Sequence, residues 1–285
     1  MVTKAETVAN VHNDSHANKR SLWAANKWLF LRRLSQLFIL CLFLIGPWYG
    51  VWIIKGNLSG SLLLETVPMT DPLLAVQILA ASGSLAGTAL IGTLLVAGFY
   101  ALVGGRVFCS WVCPINPVTD LANWLRRKLR LRGGAKLTRS LRYWVLAMVL
   151  VTSALTGSIV WEYANPVSIL HRELFFGLGL GWTVILGIFL FDLIVADRGW
   201  CSHICPMGAL YGLVGSYSPL RIRSEKDKCD DCGDCYYVCP EPQVITPTLK
   251  GNDVTILAKE CTNCGRCIDR CPQDVFHFGL RRSKP

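Results

Sequence analysis

Two cysteine runs near the C-terminus leave this chain little choice of local structure. Cys229, Cys232, Cys235 and Cys239 precede Pro240, and Cys261, Cys264, Cys267 and Cys271 precede Pro272, so C-x2-C-x2-C-x3-C-P occurs twice, 32 residues apart. Three closely spaced thiolates can wrap three irons of one cube. The fourth iron takes its ligand from the partner run. The spacing predicts one [4Fe–4S] cluster on Cys229, Cys232, Cys235 and Cys271, and another on Cys261, Cys264, Cys267 and Cys239. Zinc sites and disulfides also use paired cysteines, but neither requires two overlapping quartets, each followed by proline.

Upstream, four apolar stretches at 34–54, 85–103, 143–160 and 175–196 account for a chain that is 52% hydrophobic. Each is near the ~20 residues that a helix needs to cross hydrocarbon. The first begins too far along the chain, and is too long, to be a signal peptide. The expected architecture is a membrane α-helical unit at 34–216, with four transmembrane helices as two repeated hairpins. A polar tail and interfacial anchor at 1–33 precede it, and a small α+β twin-cluster domain at 217–285 follows.

The formal charge of +10 is unevenly placed. Six Lys and Arg precede the first apolar stretch and nine lie within 104–142, against one in each of the other two connections. The positive-inside rule then puts both termini and the central loop in the cytoplasm of a multi-pass protein. That compartment keeps thiols reduced and available for iron. Within the central loop, 118–131 interleaves Leu121, Leu125 and Leu129 with basic residues, the pattern of an amphipathic helix on an anionic leaflet. Membrane lipid, not nucleic acid, is the expected partner of the positive charge. Trp23, Trp28, Phe30, Lys27, Arg32 and Arg33 form the expected anchor at the entrance to the first helix.

A second cysteine pattern repeats across the membrane unit. Arg106, Cys109, Cys113 and Pro114 are echoed 92 residues later by Arg198, Cys201, Cys205 and Pro206, each set directly following an even-numbered apolar stretch. Pro114 and Pro206 are expected to open helices, with Cys113 and Cys205 near the N-caps, where a thiol pKa is lowered. Three readings stand open for these four cysteines: a third iron centre, redox dithiols, or small residues packed under helix ends. In the outer connections, the apolar run 73–81 is too short to span and either lies at the interface or folds back between helices. Glu162 and His171 are candidates to take protons from a membrane-borne donor. Asp192 is expected at the water boundary or on a proton path, and Cys41 as a buried apolar residue.

Four membrane stretches, two C-x3-C-P motifs and a twin-cluster tail together resemble the NapH family of membrane-bound ferredoxin-type subunits of periplasmic nitrate reductase systems. The most specific matches are Cys109–Pro114 continuing into DLANWLRR from Asp120, SALTG from Ser153, and GALYG from Gly208. The resemblance implies a bacterial inner-membrane quinol dehydrogenase module that takes electrons from ubiquinol. It also implies a NapG-like periplasmic ferredoxin subunit and c-type cytochromes as partners, with nitrate reduced elsewhere. With cytoplasmic clusters and an external acceptor, either electrons recross the membrane region or the inner clusters serve another purpose; the chain has no C-x-x-C-H to attach a haem, and a third centre at the C-x3-C-P cysteines is the expected intermediate stop. An iron–sulfur assembly factor is the alternative function, and a passive anchor the third.

Overall fold

The computed structural model describes residues 23, 25–131, 134–135, 137–177, 179–251 and 253–281; the tail expected at 1–20 lies outside them. In chain order, α1 (Lys27–Tyr49) leads to a meander of β1 (Ile54–Gly56), β2 (Gly60–Leu63) and β3 (Val67–Thr70). Then come α2 (Pro72–Ser82), α3 (Gly87–Val103), α4 (Val107–Trp111) and α5 (Ile115–Lys128). The second half contains α6 (Leu141–Thr156), α7 (Val160–Ala164), α8 (Pro166–Phe176) and α9 (Gly181–Leu190), the last continuing as a π-turn over Phe191–Val195. A second π-turn, Trp200–Ile204, precedes α10 (Pro206–Val214). The C-terminal unit holds β4 (Leu220–Ser224), α11 (Asp234–Val238), α12 (Thr246–Leu249), α13 (Arg266–Arg270) and β5 (Phe276–Leu280).

Helix α1 is long and apolar enough to cross a membrane. The other apolar helices, α2, α3, α6 and the continuous Gly181–Val195, are shorter than 18 residues. At 1.5 Å per residue the 17 residues of α3 cover about 26 Å, a little less than the ~30 Å hydrocarbon core. Many of their large side chains face outward, among them Leu94, Leu102, Trp144, Leu155 and Ile194.

The repeat is richer than a pair of hairpins. Helices α2 and α8 are both 11 residues long and both begin with proline after a capping residue that accepts N–H bonds. Asp71 accepts from Leu73 and Leu74, and Asn165 from Val167. Each cap is worth about 1 kcal/mol to its helix. The run at 73–81 folds back between helices: Leu73 is wholly buried, the Tyr211 hydroxyl donates to Asp71 at 2.8 Å, and α2 packs along α6. Each half thus has a short helix that starts deep in the protein. Gly105 allows the halves to meet, because a Cβ there would lie 1.6 Å from the Tyr211 carbonyl oxygen on α10.

The C-terminal unit is a two-stranded antiparallel sheet, with Leu220 opposite Leu280 and Ser224 opposite Phe276, packed on α11 and α13. It is fastened to the rest from several sides. Trp28 lies edge-on to Phe278 and Trp111, and the backbone N–H groups of Trp28 and Leu29 donate to the Asp269 carboxylate. The start of α1 is therefore corrected: Trp28, Arg32 and Arg33 face protein, and Arg32 is wholly buried. The same docked face turns Cys41 outward, where it is exposed and not a core residue. Of the two positions expected for Asp192, the water boundary is corrected. The side chain is buried, and it accepts the Trp200 N–H at 2.9 Å, holding the second π-turn in place instead of reaching water. In α5, Arg126 is buried and donates to the Leu193 carbonyl, while Leu121, Trp124 and Leu129 form an exposed apolar strip.

Candidate functional site

In the C-terminal unit the two runs wind alike. Asp231 and Asn263 take left-handed backbone, as do Gly233 and Gly265 two residues later, so each loop curls before a five-residue helix carries the third cysteine. Cys229, Cys232, Cys235 and Cys271 line one cavity, with Asp230 and Asp231 at its open side. Cys239, Cys261, Cys264 and Cys267 line a second, smaller one, together with Glu241 and Arg266. The last cysteine of each run therefore stands with the other run. Burial pushes the Cys235 thiol up to about 12 and Cys261 to about 11. Cys264 goes the other way: burial raises it, but the guanidinium groups of Arg266 and Arg32 outweigh that and hold it below the ordinary thiol value.

The C-x3-C-P motifs meet although they are 92 residues apart. Cys109, Cys113, Cys201 and Cys205 line a single small cavity, walled by Trp161, Pro166, Trp200 and Met207. Both motifs turn in the same way, with the Cys113 N–H bonded to the Phe108 carbonyl at 2.9 Å and the Cys205 N–H to the Trp200 carbonyl at 3.0 Å. Pro206 opens α10 with Cys205 as its N-cap, whereas Pro114 is itself the N-cap of α5 and Cys113 lies one residue before it. The thiols do not have lowered pKa values. Burial raises all four, with Cys205 pushed up to about 11 although the Gly208 and Met207 N–H groups pull it down. The helix-end effect is present, but desolvation is larger.

Among the described residues, no group of three or more His, Cys, Asp or Glu converges as ligands of a single metal ion do. The cysteines instead line cavities in sets of four, as ligands spread around a multi-iron cube would. All three sets fit a cube in donor chemistry and number.

Buried ion pairs connect these cavities. Arg106, three residues before Cys109, donates to Glu241 at 3.1 Å, to the Glu260 carbonyl at 2.8 Å and to the Cys201 carbonyl at 3.3 Å. Glu241 also pairs with Arg139 at 3.1 Å and Arg142 at 3.5 Å. Its repeat counterpart, Arg198, pairs with Asp120 at 3.0 Å, which Arg33 and Arg266 share. Those cations hold the Asp120 carboxyl far below the usual carboxylate range despite its burial. The repeat hinted at paired arginines, but their acidic partners come from distant elements and no local pattern announced them.

Glu162 and His171 line a fourth cavity, an open cleft of about 680 Å³ with Trp52, Ser168, Phe175 and Phe176. Glu162 accepts from Ser59 at 3.0 and 3.1 Å, from Ser168, and from Asn165 at 3.3 Å. His171 is 3% exposed, packs against Phe43 and Phe175, and its Nε2 has no hydrogen-bond partner. Burial lowers its pKa to about 4. The wall between this cleft and the C-x3-C-P cavity is α7 and the start of α8: Trp161, Asn165 and Pro166 face the cysteines, while Glu162, Ser168 and His171 face the cleft. Glu173, by contrast, caps the next helix by accepting from Gly179 and Gly181.

Comparison with known proteins adds family evidence. The 4Fe-4S binding domain model matches twice, at 85–132 and 175–224, once over each C-x3-C-P motif. The 4Fe-4S dicluster domain model matches 221–272. The chain is 50% identical over 268 residues to the ferredoxin-type protein NapH of Escherichia coli, covering 93% of each chain. It is 51% identical over 263 residues to NapH of Haemophilus influenzae, covering 91% of this chain and 92% of that one. It is also 50% identical over 264 residues to the methylamine utilization ferredoxin-type protein MauN of Methylorubrum extorquens, covering 92% of each. No solved structure matches the chain.

Proposed function

The chain belongs to the family of ferredoxin-type proteins that includes NapH and MauN, and from that premise we propose how it carries electrons. It is an iron–sulfur electron-transfer subunit of a nitrate reductase system, fed by quinol and delivering through a NapG-like ferredoxin subunit and c-type cytochromes. It sits in the bacterial inner membrane as a four-span unit at 34–216, with both termini and the 217–285 unit in the cytoplasm. The length of α1 and the outward apolar side chains of α1, α3, α6 and α9 support that placement.

Cys229, Cys232, Cys235 and Cys271 hold one [4Fe–4S] cluster, and Cys239, Cys261, Cys264 and Cys267 hold another. Cys109, Cys113, Cys201 and Cys205 hold a third iron–sulfur centre. When bound, the clusters supply one-electron carriers that split the pair of electrons from a quinol. The chain's own residues do the rest. Glu162 and neutral His171 accept the quinol protons in the aromatic cleft, and the Asn165–Pro166 wall keeps the cysteine cavity dry and close to it. Arg106 spans from the Cys201 carbonyl to Glu241, holding the C-x3-C-P cavity against the second cavity of the C-terminal unit.

One observation carries this reading: three sets of four cysteines each line their own cavity, and Arg106 ties the Cys201 carbonyl of the third set's loop to Glu241 in the lining of the second. A centre on Cys109, Cys113, Cys201 and Cys205 is the intermediate stop that this reading needs. Iron and sulfide analysis of anaerobically purified protein tests it. About 12 irons per chain, falling to about 8 in Cys113→Ser, is the expected result. About 8 in both would remove the third centre. Reduction of the clusters by a quinol analogue within one turnover distinguishes electron transfer from an assembly role.

A further inference from the structure

Arg32 is a cation with no visible reason to be inside. It is 0% exposed, and its Nε, Nη1 and Nη2 all lack hydrogen-bond partners. An ion left unpaired in a protein interior costs several kcal/mol. The groups around it on the helix are already engaged: Arg33 bonds Asp120 and Gln36, and Gln36 donates to the Ser110 carbonyl at 2.9 Å. Asp120 itself is shared among Arg33, Arg198 and Arg266. Full burial also removes a lipid headgroup or solvent as the missing partner.

Its surroundings point to one. Trp28, one turn earlier on the same face of α1, lies directly over Gly265, where a Cβ would come within 2.6 Å of the indole. Gly265 separates Cys264 from Arg266, which lines the second cavity. The first cavity has no arginine in its lining and instead carries Asp230 and Asp231 beside Lys226 and Lys250.

We infer that Arg32 is the counter-charge of the cluster held by Cys239, Cys261, Cys264 and Cys267, donating its unmatched N–H groups toward that cluster's sulfur and raising its reduction potential. The inference rests on the twin-cluster reading above. Reduction adds one electron, and so one negative charge, with no proton and no bond broken. A fixed guanidinium in a low-dielectric interior favours that reduced form. At the first cavity Asp230 and Asp231 are balanced by Lys226 and Lys250, and no buried guanidinium lines it. Arg32 thereby makes the cluster nearer the membrane unit the easier of the two to reduce.

The test is an anaerobic redox titration of the full-length protein with dithionite, followed by EPR, for the wild type, Arg32→Met and Arg32→Lys. Arg32→Met is expected to lower the reduction equilibrium constant of one cluster at least tenfold, 59 mV for a one-electron couple, and to leave the other unmoved. Arg32→Lys is expected to keep most of the wild-type value. Unchanged potentials in Arg32→Met, equal shifts of both clusters, or a lysine variant that behaves like methionine would overturn the inference. If Arg32→Met loses four irons and Arg32→Lys retains them, the charge is needed to hold the cluster and the inference stands. If both variants lose them, it falls. A wild-type protein without two such clusters would instead defeat the twin-cluster reading, a separate failure visible before any variant is made.

Discussion

Glu241 is the strongest single test of how the membrane unit holds the C-terminal unit. It is 1% exposed and bonded by Arg106 and Arg142, which are themselves 3% and 1% exposed at the side chain. Replacing it by leucine leaves Arg106 buried without a carboxylate and Arg142 with Glu260 alone. Breaking a buried pair in this way costs about 3–5 kcal/mol, or roughly two to nearly four orders of magnitude in an equilibrium constant. Arg139 is half exposed and adds little, since water screens it. The assay is SDS-induced unfolding of the detergent-solubilised protein, run as a double-mutant cycle with Arg106→Met. Glu241→Leu is expected to destabilise strongly. The double variant is expected to recover part of the loss, because it removes the stranded cation. A single-variant loss under about 1 kcal/mol, or strictly additive losses across the cycle, would refute the claim that this carboxylate joins the two units.

Three further outcomes follow from the same geometry. The folded His171 has a pKa of about 4, below its ordinary 6.5, so the unfolded chain binds the proton first as pH falls. Its contribution to stability is complete above 6.5 and is lost between 6.5 and about 4, and thermal melts of His171→Phe against wild type should show that dependence disappear. Gly233→Ala and Gly265→Ala each meet the ~1–2 kcal/mol cost of left-handed backbone, but only Gly265 has Trp28 in contact, so denaturation should show Gly265→Ala as the more damaging. Glu162→Gln should slow quinol oxidation by about 10²–10⁴-fold while iron content stays at the wild-type value; an unchanged stopped-flow rate would remove Glu162 as a proton acceptor.

Much of the site was legible because its chemistry is local. Cysteines three and four residues apart can reach one small body whatever the rest of the chain does, and an echo of Arg106, Cys109, Cys113 and Pro114 at 198–206 needs only inspection. The α2–α8 correspondence was less visible. Pro72 and Pro166 share little sequence after them, and a nine-residue run with eight apolar side chains fits an interfacial helix as well as a re-entrant one. Length and composition could not choose between them.

The sequence by itself determined the local loops of the twin runs, the doubled C-x3-C-P motif and the apolar helices, since each depends on contacts within a few residues. Tertiary structure alone decided that Cys109, Cys113, Cys201 and Cys205 share one cavity and that Glu162 and His171 lie just across its wall. It alone decided that burial raises those four thiols where a helix end would have lowered them. It also turned Arg32 from an apparent surface anchor into a buried cation. Burial and charge pairing are sums over neighbours that arrive from far along the chain, and no window of sequence contains them.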